Sequence, residues 1–155
     1  MKLTYRFAGL PAGLLYACLL LTAGGSGLLA ADAKFEAQLI WATNDKKCDD
    51  PKLKPVEPEV RSKLGELPLK WENYFTVKRE QVNVGKAGTN AVTLSEKCTV
   101  EVKRLGDTKV EVSLHGHKGS VCYKRTQPLP KGDMLVLGGN APNATAWLVT
   151  LKRVE

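Results

Sequence analysis

Residues Lys97–Thr126, KCTVEVKRLGDTKVEVSLHGHKGSVCYKRT, decide the fold. Apolar side chains alternate with polar ones in three runs: Cys98, Val100 and Val102; Val110, Val112 and Leu114; then Val121 and Tyr123. Successive residues of a strand point to opposite faces, so each run has one apolar face and one solvated, mostly charged face. Three such runs joined by tight turns form an antiparallel meander that needs covering on one side. The stretch also holds both histidines and two of the four cysteines.

The turns set the expected register. With His117-Lys118 as a two-residue loop, Leu114 pairs with Val121 and Val112 with Tyr123, keeping apolar residues together. His115 then lies opposite Ser120, and Cys122 opposite Ser113, on the other face. A two-residue Gly106-Asp107 loop would set Val102 against Glu111, so a three-residue loop is expected there, placing Val102 beside Val110 or Val112. In this register Cys98 is on the apolar face and Cys122 on the opposite one, two strands away. Two strand spacings are about 9–10 Å, beyond the about 7 Å that a disulfide spans between Cα atoms. That argues against a Cys98–Cys122 bond.

Working outward, residues 34–43 (KFEAQLIWAT) read as a first strand with Phe35, Ala37, Leu39 and Trp41 on one face. The stretch 44–58 is polar, carries three prolines and Cys48, and reads as a long loop. A short helix is expected over 58–67, with Pro58 in its first turn, acidic Glu57 and Glu59 at its positive end, and Val60, Leu64 and Leu67 on one face. Residues 69–84 read as a strand bulged or bent at Glu72-Asn73. Trp71, Tyr74 and Phe75 within it are expected to anchor the core rather than to form a ligand platform. Short strands follow over 91–94 and, after the meander, 133–137, with 138–143 as a hairpin loop. The last strand, 145–154, carries Trp147, Val149 and Leu151 on one face. Pairing of the first and last strands would tie down both ends of the sheet. The expected fold is mainly β: a small antiparallel sandwich or barrel of seven to eight strands with one short helix.

Residues 1–33 have the pattern of a secretory signal peptide: Lys2 and Arg6, an uncharged stretch from Phe7 to Leu29, and Ala31-Asp32-Ala33 as a small-x-small cleavage site. The Gly24-Gly25-Ser26-Gly27 run weakens it as a membrane-spanning helix, and Cys18 sits in a poor match to a lipidation motif. Cleavage would leave residues 34–155 as a single exported β-domain, secreted or periplasmic, with no transmembrane segment. Loss of the leader takes the net charge from +7 to +6. A basic balance favours acidic partners such as an anionic polymer or envelope protein. The basic residues are scattered and not interleaved with aromatics, so no specific nucleic acid is expected.

Three cysteines remain after the leader, which allows one bridge and one free thiol. Cys48, on the long loop, is the expected partner of Cys98, with Cys122 as second choice. His115, His117 and Cys122 form the metal candidate, with the Asp49-Asp50 pair in reserve, although His117 lies in a turn and no third ligand stands at fixed spacing. There is no GxSxG elbow, no phosphate-binding glycine loop and no CxxC, and no cofactor is implied. Asn143-Ala144-Thr145 is a glycosylation sequon, meaningful only in a eukaryotic secretory pathway. The function that fits is an exported, non-enzymatic binding or accessory protein engaging an anionic envelope or extracellular partner. The alternative is a small hydrolase or metal-dependent enzyme using His115, His117 and Cys122, and a thiol protein using the unpaired cysteine is a third.

Overall fold

The computed structural model describes residues 31–46, 48, 50–141 and 144–155. Residues 1–30 of the leader, Cys18 among them, Asp49, and Asn143 of the sequon lie outside the described residues. The described residues form two antiparallel sheets and no closed barrel. The strands are β1 (Ala33–Thr43), β2 (Lys54–Pro55), β3 (Asn73–Val84), β4 (Thr89–Ser95), β5 (Cys98–Arg104), β6 (Lys109–His115), β7 (Val121–Pro128), β8 (Met134–Asn140) and β9 (Ala146–Arg153), with helix α1 (Pro58–Gly65) between β2 and β3. One sheet has the order β2-β3-β1-β9-β8 and the other β4-β5-β6-β7. The strand count exceeds the expectation because the proline-rich loop contributes the two-residue β2 beside Thr76 and Phe75.

Strand β1 is the centre of the larger sheet. It pairs with β3 on one side and with β9 on the other, where Leu39 faces Val149 and Trp41 faces Trp147. The expected pairing of first and last strands is therefore present. Phe35, Ala37 and Leu39 point inward and pack on Val100, Val102, Val110 and Val112 of the second sheet. The other face of β1, read from the sequence as its polar side, buries Ile40 and Ala42 beneath Val60 and Leu64 of α1. Full burial of a side chain such as Leu64 contributes about 1.5–3 kcal/mol, and this helix is held mainly by such packing. Tyr74 and Phe75 are buried as core anchors. Trp71 is half-buried, with Nε1 donating to the Ala144 carbonyl at 2.8 Å.

The β3 irregularity is not at Glu72-Asn73, where the strand only begins. It lies at Val77, an extra residue between the Leu39–Lys78 and Ile40–Thr76 pairs. After β3 the chain crosses to the second sheet, closing the turn with Gly88 N–H donating to the Gly85 carbonyl at 2.9 Å. The meander follows. Its first turn is the three-residue loop Gly106-Asp107-Thr108, with Val102 paired to Val112. Arg104 departs from the solvated-face reading of the basic residues. It is buried at the end of the inner face, where Nη1 donates to the carbonyls of Ala31 at 3.2 Å and Val84 at 3.1 Å.

Two ion pairs strap α1 across the sheet. Lys152 of β9 holds Glu59 at 2.6 Å, and Arg79 of β3 holds Glu57 at 2.7 Å. The hydrogen bond from Arg79 lowers the Glu57 pKa from its ordinary 4.5 and raises that of Arg79. Depression in the folded state means that the Glu57 contribution to stability is complete above 4.5 and is lost as pH falls through the lower folded value. The Arg79→Met variant is therefore expected to unfold at lower urea than the parent at neutral pH, with the gap closing below pH 4.5. The gap should also shrink in high salt, because the pair is exposed. Urea midpoints across pH check both, and a gap that persists in acid would place the effect elsewhere.

Candidate functional site

At the Trp147 end of the sandwich the two sheets separate and leave a cleft of about 400 Å³. Its walls are Leu39, Val77, Leu137 and Val149 from the larger sheet and Leu114 from the smaller. Trp147 lines it and is 47 % exposed. Cys98, Cys122 and Lys97 line the side formed by the smaller sheet.

Missing side chains explain the opening. The sequence suggested that β8 stops at Leu137, with 138–143 as a loop. The strand continues through Gly138 and Gly139, paired with Leu148 and Trp147. Gly139 follows Leu135 and Leu137 on the inner face, and a Cβ there would meet nothing within 4 Å. The strand therefore runs on without filling its share of the core. A glycine inside a strand marks such a gap; the Gly138-Gly139 pair was the available signal, read instead as a turn.

The second hairpin of the meander corrects the expected register. It is not a two-residue loop: residues 117–119 make a 3₁₀ turn, with Lys118 and Gly119 at φ 59° and 75°. Leu114 pairs with Tyr123 and Ser113 with Lys124, while His115 pairs with Val121, leaving Cys122 as a bulge. The bulge overturns the assignment of Cys98 and Cys122 to opposite faces. Carrying the register one step past the Thr99–His115 pair sets Gly116 against Cys98. Cys122 Sγ occupies the space a Gly116 side chain would take, 2.5 Å from the position of its Cβ. Both thiols thus border one cleft.

Cys48, Cys98 and Cys122 are free, so neither Cys48–Cys98 nor Cys48–Cys122 is bridged. Cys48 borders a separate open recess with Trp41, Asp45, Asp50 and Trp147. Burial, and secondarily the neighbouring Cys122, push the Cys98 thiol above the ordinary 9.0.

The histidines do not form a centre. His115 Nδ1 lies 3.3 Å from the Gly119 carbonyl and Nε2 lies 3.8 Å from a carboxylate oxygen of Glu101. His117 is exposed in the turn. Among the described residues, no three His, Cys, Asp or Glu side chains are grouped to hold a metal ion. Strand β7 is an open sheet edge whose residues, Gln127 apart, are exposed, with Val121 and Tyr123 at 58 % and 40 %. No helix among the described residues is long and apolar enough to cross a membrane.

The thiols should separate in reactivity. Exposed Cys122 is expected to react with iodoacetamide faster than Cys98, whose burial and raised pKa keep it protonated to higher pH. Peptide mapping of timed alkylation checks the order, and Cys98 labelling first would mean that the cleft is not closed around it as described. No family model, curated protein or solved structure matches this chain.

Proposed function

We propose that the chain is an exported, non-enzymatic binding protein that takes a small apolar ligand bearing an anionic group into the cleft beside Trp147. The observation that carries this reading is the cleft itself: about 400 Å³, within the range of small-molecule sites and walled by aliphatic side chains. An exposed tryptophan supplies a flat apolar contact, and Lys97 supplies a cation for the anionic end. The net charge of +6 that remains without the leader favours anions in general. For the hydrolase alternative, His115, His117 and Cys122 would have to act on one substrate atom, and no grouping of the three supports that.

The probe is anilinonaphthalene sulfonate, an apolar anion whose fluorescence rises on leaving water. It is expected to bind the folded protein, quench Trp147 and be displaced by a medium-chain fatty acid. Gly139→Leu places a side chain into open space and is expected to weaken probe binding at least about tenfold, or about 1.4 kcal/mol, with little change in unfolding midpoint. Equal binding by parent and variant would overturn the assignment of the cleft.

Export is tested by the intact mass of the protein recovered from outside the cytoplasm. The expected mass begins at Lys34, and recovery of the chain with residues 1–33 attached would make the leader an anchor instead.

A further inference from the structure

We propose that Cys98 and Cys122 form a two-coordinate site for a soft monovalent cation, Cu(I) in its biological form, at the margin of the cleft. The site is separate from the apolar-ligand reading and stands on three features of the thiol pair.

The first is convergence. Cys98 is on β5 and Cys122 on β7, with β6 between them, but a glycine occupies the intervening inner position. Cys122 Sγ fills the gap over Gly116, and Cys98 and Cys122 line the same cleft.

The second is reach. Strands β5 and β7 are two spacings, about 9–10 Å, apart. A disulfide spans up to about 6.8 Å between Cα atoms through one S–S bond of about 2.05 Å. Replacing that bond by two metal–thiolate bonds of about 2.3 Å extends the span by about 2.5 Å. On this spacing the pair exceeds the reach of a direct disulfide and falls within that of a sulfur–metal–sulfur link.

The third is surroundings. Leu114, Val77 and Trp147 line the same cleft, and no hard-ligand group of three is present among the described residues. Thiolates suit Cu(I) and zinc alike, but zinc takes four ligands in a structural site, so a pair of thiolates alone fits Cu(I). Binding one cation releases two thiol protons and leaves a bis-thiolate of net charge −1. Lys97 borders the cleft and offsets that charge.

The test is an anaerobic titration of the reduced protein with Cu(I) against bicinchoninate, a chromophoric chelator. One equivalent per chain is expected to resist the chelator and to protect Cys98 and Cys122, but not Cys48, from alkylation. Cys48→Ser is expected to retain that equivalent, and Cys98→Ser and Cys122→Ser to lose it. Gly116→Ala keeps both thiols but displaces Cys122 Sγ, and is expected to weaken binding about tenfold to a hundredfold. Circular dichroism of each variant separates loss of the site from loss of the fold, and exposed Cys122 is the safer substitution if Cys98→Ser unfolds. Full binding by either cleft variant, loss with Cys48→Ser, or a Cys98–Cys122 disulfide in the exported protein would overturn the site. Gly139→Leu, which fills the apolar cleft and leaves both thiols in place, is expected to keep the Cu(I) equivalent, so failure of the metal site and failure of the apolar-ligand reading give different results.

Discussion

Burial of β1 on both faces is the constraint on which the rest of the structure depends. Its inward residues Phe35, Ala37 and Leu39 require the second sheet, and its outward residues Ile40 and Ala42 require a further cover. Helix α1 is that cover, and at eight residues it is too short to be stable alone. Packing of Val60 and Leu64 on β1, β3 and β9 gives it a reason to form, and the Glu57 and Glu59 ion pairs fix its position. The long loop before α1 is shaped by the same need, since it carries Val56 into the cluster beneath the helix. The order of dependence runs from β1 to β3 and β9, then to the helix, and only then to the surface pairs.

The cleft is what this arrangement leaves where the two sheets stop filling each other. An enclosed void of 400 Å³ would cost on the order of 10 kcal/mol at about 24 cal/mol per Å³, as much as a domain of this size has in hand. The space is therefore compatible with a folded chain because it opens to solvent beside Trp147. Gly139 on one sheet and Gly116 on the other withdraw side chains from it, and irregular pairing at Val77 and Cys122 bends the strands on either side. Each change is local, and together they occur at one end.

Regular alternation made most of the fold legible in the sequence. The meander, the first and last strands, the helix with its proline start and a three-residue loop at the first turn all follow from residue periodicity and turn chemistry, whereas the choice of Gly106-Asp107-Thr108 over Leu105-Gly106-Asp107 is set by the Val102–Val112 pairing. The site was legible only as ingredients. Cys98, Cys122 and His115 stood out by chemical type, but their faces were assigned by assuming unbroken alternation. The residues that shape the cleft, Gly139, Val77, Leu137 and Trp147, carry no chemical signature of their own. Ile40 was hidden for a related reason: its burial depends on α1, which no pattern within β1 reports.

The bulge at Cys122 shows how one extra residue changes what a strand presents. Continuing the Leu114–Tyr123 pairing without interruption would set Cys122 against His115, on the face that carries Glu101 and Ser113. Val121 would then face Gly116. A bulge absorbs one residue and breaks the strict alternation of faces. Here it pairs Val121 with His115 and sends the Cys122 thiol into the space above Gly116. The 3₁₀ turn supplies the slack, since Lys118 and Gly119 both take left-handed backbone angles that a two-residue loop of ordinary residues would not provide. Turn, bulge and glycine therefore act as one unit. Remove the bulge and the two thiols lie on different faces of the sheet; fill Gly116 and they share a face with no room to meet.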